Sequence, residues 1–132
     1  NGGAVLAAQA MGADLAYIGS AFIATDEANA DQRYKEMITE SSADDIVYTN
    51  LFTGVHGNYL KGSIEAQGLD PDNLEESDSS KMNFSSGASK PKSWKEIWGS
   101  GQGISAVKSI LPASKLVERI NNEYLKAKQN LI

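Results

Sequence analysis

The sequence predicts an α/β fold, and three observations near its start carry that expectation. Residues 4–11 (AVLAAQAM) are a short run of strong helix formers. Gly12 follows, where a helix stops in the left-handed conformation. Residues 13–18 (ADLAYI) are short, mostly apolar and closed by Gly19, as suits a strand of a parallel sheet buried on both faces. Thr25 and Asp26 are candidate caps for the next helix. In it Ala30, Tyr34, Met37 and Ile38 recur at helical spacing through about Ser41. Turn, helix, strand, loop and helix in succession are the rhythm of a β/α-repeat protein.

The middle of the chain changes character. Residues 46–49 (IVYT) are β-prone. Residues 52–57 read as a loop, and residues 59–67 (YLKGSIEAQ) as a helix ending at Gly68. Residues 70–91 are rich in Asp, Glu, Ser, Asn and Lys, bury little apolar surface and are the expected mobile segment. Trp94, Ile97 and Trp98 then share one helical face, and Gly99-Ser100-Gly101-Gln102-Gly103 is a tight turn. Leu116, Val117, Ile120 and Tyr124 make an apolar stripe on a last helix, with Lys126 and Lys128 placed to complement its dipole. No internal repeat is visible. The expected division is 1–45, 46–92 and 93–132.

Composition bounds the partners. The 132 residues carry 17 acidic and 12 basic side chains, a formal net charge of −5. An acidic balance without a basic stripe argues against nucleic acid and anionic membrane. The hydrophobic fraction of 41% and charged fraction of 22% are ordinary for a soluble globular protein. With no cysteine, disulfides, thiolate catalysis and cysteine-based metal sites are excluded, and the composition fits a reducing cytosol. No apolar run reaches the roughly 18 residues needed to span a bilayer, and no signal peptide is visible. The chain opens at Asn1-Gly2-Gly3 without a methionine and runs straight into a helix pattern. Either a tag was removed, or the chain was cut from something larger.

Few residues suggest chemistry on their own. Tyr17-Ile18-Gly19-Ser20 ends the expected strand, and such an ending can offer backbone N–H groups and a hydroxyl to a phosphate. The 99–103 loop is neither a Walker loop nor a dinucleotide fingerprint. It reads as a helix break using positive φ, or as a close backbone approach to a ligand with Gln102 as amide partner. His56, the one histidine, lacks metal-ligand spacing or an adjacent Ser/Asp pattern and reads as a solvated loop residue rather than a general base. Asp44-Asp45 and Glu75-Glu76 read as helix-end and loop solvation. The tryptophans read as core anchors.

Three ordered segments carry a resemblance. GADLAYIGSAFIAT (12–25), SADDIVYTNLFTGVHGNYLKGSI (42–64) and SWKEIWGSGQGI (93–104) resemble, in order and spacing, the nitronate monooxygenase family, formerly called 2-nitropropane dioxygenases. The first is similar to that family's last barrel strand, the second to its segment after the barrel, the third to its Trp- and Gly-rich return. The resemblance implies a flavoprotein that binds FMN non-covalently at the C-terminal face of a (β/α)8 TIM barrel. It implies oxidation of alkyl nitronates, with oxygen, to carbonyl compounds and nitrite. The family's FMN-contacting residues at the end of the last strand match Tyr17, Ile18, Gly19 and Ser20. The family commonly has Gln-Met-Gly-Thr there, so the glycine and a hydroxyl are kept while the first two side chains differ. Gly2-Gly3 falls just past the family's phosphate-binding glycine pair, and the catalytic histidine falls upstream of residue 1. On this reading no catalytic residue or metal ligand is expected within the chain. Gly2-Gly3 and His56 would be decoys.

The expectation is thus an α/β segment from the C-terminal part of an FMN-binding barrel with an inserted lobe. In isolation it would either rearrange into a mostly helical bundle, self-associate, or be seen only as part of a larger assembly, because its apolar faces would lack their sheet. Two rivals remain: a related flavin-dependent enoyl reductase or NADH:quinone reductase, and a non-catalytic domain binding a phosphate-containing ligand or a protein. Residues 46–91 favour the first reading, because the resembling reductases have a different C-terminal extension.

Overall fold

A computed structural model describes residues 1–77 and 96–131. The chain divides into two compact units, one of Asn1–Thr39 with Ala106–Ile132, the other of Glu40–Ser105. Ser93, Trp94 and most of the polar stretch 70–91 lie outside the described residues.

The first unit is built on a pair of helices. Helix α1 (Gly2–Ala10) starts at Asn1, whose side-chain oxygen accepts from Ala4 N–H at 2.9 Å. It stops as expected at Gly12, with φ at 96°. The Gly12 N–H donates to Gln9 O at 2.9 Å and the Ala13 N–H to Ala8 O at 3.1 Å, the two bonds of a Schellman closure. Its partner is α5 (Ala113–Gln129), which presents Leu116 inward and carries Lys126 and Lys128 in its last turn. The two pack closely at Gly2, where a Cβ would overlap Ile120 O and Tyr124 N of α5. The Gly2 N–H donates to the Glu123 carboxylate at 2.8 Å, and the Tyr124 hydroxyl donates to Gln9 Oε1. Gly2 is therefore a packing glycine.

Residues 13–18 depart from expectation. They form no ladder with any described residue, and Leu15 and Tyr17 are 90% and 101% exposed. A parallel strand exists only through its neighbours, and the described residues supply none here. The short helix α2 (Ser20–Ile23) follows, then α3 (Gln32–Glu40), which buries Ile38 and the aliphatic stem of Lys35. The α3 cap differs from the expected one. Asp31 accepts from Arg33 N–H at 2.9 Å, and these bonds together with the Arg33 side chain hold its carboxyl below the usual range. Thr25 is engaged elsewhere, its hydroxyl donating to Phe22 O at 2.7 Å.

The second unit begins with a capped 3-10 turn, Ala43–Asp45. The Ser42 side chain accepts from Asp44 N–H and the Asp45 carboxylate accepts from Ser42 N–H, a reciprocal box that holds the Asp45 carboxyl below its ordinary value. Strands β1 (Ile46–Thr49) and β2 (Gly57–Leu60) pair antiparallel, with Ile46 opposite Leu60 and Thr49 opposite Gly57. The helix expected over 59–67 is shorter: Tyr59 and Leu60 belong to β2, and α4 spans Lys61–Glu65 before Gly68 at φ 77°. The other edge of β2 explains this. Leu60 N–H donates to Trp98 O at 2.8 Å and Ser100 N–H to Asn58 O at 3.2 Å. The same bonds remove Trp98 from the expected helical face, although it and Ile97 are both buried. Leu60, Ile64 and Ile104, all fully buried, mark the core of this unit.

Candidate functional site

The residues read from the sequence as phosphate-binding lie on the first unit. Tyr17 and Ile18 line an apolar groove of about 710 Å³ bounded by α1, residues 13–18, Phe22 and α5. Val5 and Ala8 supply one wall, and Val117, Ile120 and Tyr124 the other. Val117, expected on the apolar stripe, is 54% exposed and faces this groove rather than a closed core.

Gly19 and Ser20 come next. Gly19 is exposed and caps α2 at φ −104°, a conformation open to any residue. Its distinction is space, since nothing lies within 4 Å of where a Cβ would stand. The Gly19 carbonyl accepts from Phe22 N–H at 2.9 Å and Ile23 N–H at 3.3 Å, which folds the chain into a single helical turn. Ser20 is half-buried at the start of that turn. An open glycine beside a hydroxyl, on a chain whose backbone is not engaged in a sheet, suits an oxyanion such as a phosphate group.

Behind this turn lies a feature missed in the sequence. Thr25 is 3% exposed and bridges Leu111 in parallel fashion, with Asp26 N–H donating to Leu111 O at 3.0 Å. The Glu27 carboxylate accepts from Ala113 N–H at 2.8 Å, at the first residue of α5. A Thr-Asp pair resembles a helix cap locally. Only the return of the chain at Leu111 reveals its other use.

Gln102 belongs to the second unit, exposed at the start of the 3-10 turn Gln102–Ala106. The preceding glycines do not supply positive φ, which falls only on Gly12, Gly54 and Gly68 among the described glycines. Gly99 instead permits close approach to β2, its Cβ position lying 3.2 Å from Asn58 O. His56 is exposed and stacks on Tyr48, with ring centroids 4.7 Å apart. Among the described residues no group of three or more His, Cys, Asp or Glu side chains is arranged to hold a metal ion. No described helix is long and apolar enough to cross a membrane.

Comparison with known proteins gives concordant results. A probable nitronate monooxygenase of Staphylococcus saprophyticus is 39% identical over 54 residues, which is 41% of this chain and 15% of that protein. FabK from Thermotoga maritima aligns with 99% of this chain at a TM-score of 0.66 and 21% identity, over 43% of its own length. Nitroalkane oxidase from Streptomyces ansochromogenes aligns with 100% at a TM-score of 0.64 and 24% identity, over 39% of its length. These two share the α/β fold, and that likeness alone does not separate one from the other. The chain thus spans less than half the length of these solved chains and a smaller share of the curated relative. The family model described as nitronate monooxygenase matches residues 1–123, and the chain belongs to the nitronate monooxygenase family.

Proposed function

We propose that this chain acts within an FMN-dependent nitronate monooxygenase, an oxidoreductase that converts alkyl nitronates and oxygen to carbonyl compounds and nitrite. The observation that carries this reading is the family match over residues 1–123. Tyr17, Ile18, Gly19 and Ser20 would meet the phosphate end of FMN. The open space at Gly19 leaves room for phosphate oxygens, and Ser20 brings a hydroxyl to the same turn. Tyr17, with its ring fully exposed, would contribute through its backbone. Gln102 is a second candidate contact, through its side-chain amide. Bound FMN supplies the redox chemistry, and the residues of this chain bind and orient it. No general base is assigned here, since the lone His56 is an exposed ring stacked on Tyr48. The partners are a small nitronate and oxygen, and the cysteine-free composition suits a cytoplasmic enzyme.

A related flavin-dependent enoyl or quinone reductase is the second reading, because the fold alone does not choose between them. Nitrite release decides. The full-length protein carrying this sequence should liberate nitrite from an alkyl nitronate in air. NADH oxidation without nitrite would establish the reductase instead. Ser20→Ala should weaken FMN binding about tenfold, the loss expected for one hydrogen bond to a charged group. Unchanged affinity would remove Ser20 from the site.

A further inference from the structure

We propose that Thr25 and Glu27 form a buckle that positions the Ser20 turn, and that Thr25 thereby sets the preference for a phosphorylated flavin over its phosphate-free form. The inference rests on the FMN reading above. Its starting point is the length of α2, four residues. A single helical turn does not repay the cost of its own nucleation, so something outside it must hold it in place.

The structure supplies such ties. The Thr25 hydroxyl donates to Phe22 O at 2.7 Å, closing the C-terminal end of α2. The backbone on either side of Thr25 is bonded to Leu111, with Asp26 N–H donating to Leu111 O at 3.0 Å and Leu111 N–H to Ala24 O at 3.4 Å. Glu27 then accepts from Ala113 N–H at 2.8 Å, anchoring the same segment to the start of α5. Ala24 and Thr25 are 2% and 3% exposed, so the bonds at these two residues are shielded from competing water, whereas the Glu27 bond is exposed. Thr25 sits beyond the far end of α2 from Ser20 and is a positioning residue rather than a ligand contact.

The consequence is selective. Only the phosphate end of the cofactor would meet Ser20. A turn that wanders therefore loses phosphate contacts and spares contacts to the flavin ring. A substitution that merely loosened the whole fold would weaken both flavin forms alike.

The test is a parallel titration of FMN and riboflavin into the full-length apoprotein, followed by flavin fluorescence. The wild type should prefer FMN. Thr25→Val keeps the side-chain shape but removes the donor, and should lower FMN affinity about tenfold while riboflavin affinity stays within about twofold. Thr25→Ser restores the hydroxyl and should restore the preference. Glu27→Ala, at an exposed position that does not endanger folding, should reduce the preference about threefold. Equal losses for both flavins, or no loss in either variant, would overturn the proposal. If Thr25→Val does not fold, Glu27→Ala and Thr25→Ser decide the matter. A wild type that binds both flavins equally would instead overturn the phosphate assignment of Ser20 itself.

Discussion

Ser63 Oγ carries two hydrogen bonds at once: it donates to Leu60 O at 2.8 Å and accepts from Trp98 N–H at 3.0 Å. The serine is fully buried, so neither partner has water as a substitute. Ser63→Ala would remove the Ser63 Oγ bonds to Trp98 N–H and Leu60 O from a dry environment, at about 1–3 kcal/mol. The expected outcome is a lower urea midpoint with an unchanged slope. An unchanged midpoint would mean that the return segment is held by packing alone. This bond was not legible in the sequence, because Ser63 and Trp98 are 35 residues apart and a serine in a helical pattern reads locally as neutral. Gly12 and Gly68 were legible, since a helix stop by positive φ is a property of one residue and its immediate neighbours. The same contrast explains the candidate site. Tyr17-Ile18-Gly19-Ser20 announced itself by local pattern. Thr25 did not, because its use depends on Leu111.

The pairing of α1 with α5 depends on a residue that carries no side chain. Gly2 lets the first turn of α1 rest directly on the backbone of α5 at Ile120 and Tyr124. Gly2→Ala forces those helices apart or distorts the Glu123 contact, and overpacking of this kind costs about 1–3 kcal/mol. Thermal unfolding of the variant should begin at lower temperature, whereas Gly3→Ala, with only the Asn1 side chain nearby, should be close to neutral. Equal effects at the two glycines would contradict the close approach. Element by element, the expectations succeeded where local pattern suffices. Residues 46–49 are the strand expected of them, and α5 runs under its apolar stripe. They failed where an element is defined by what pairs with it. Residues 13–18 have the composition of a buried strand and no ladder among the described residues, while Tyr59 and Leu60 were taken from a helix by edges on both sides of β2.

For the molecule as a whole, the open groove beside Tyr17 sets the expected behaviour of the 132-residue chain alone. Ser20 would reach one side of a phosphate, and the groove walls expose Leu15 and Val117 to water. The isolated chain should show no saturable quenching of flavin fluorescence at micromolar FMN. A micromolar dissociation constant, worth about −8 kcal/mol, would refute this and would place a complete flavin site within these residues.

The first unit is also discontinuous, since Asn1–Thr39 is completed only by Ala106–Ile132. The bond from Gly2 to Glu123 closes a loop across 121 positions. During synthesis, then, the second unit has its whole chain available first. Helix α1 leaves the ribosome before the second unit and waits, its glycine face bare, until α5 follows. Closing so long a loop is entropically slow. The nascent chain therefore passes through synthesis of the whole second unit with the turn at Ser20 unsupported from Leu111, and that turn gains its tie only after Leu111 has left the tunnel.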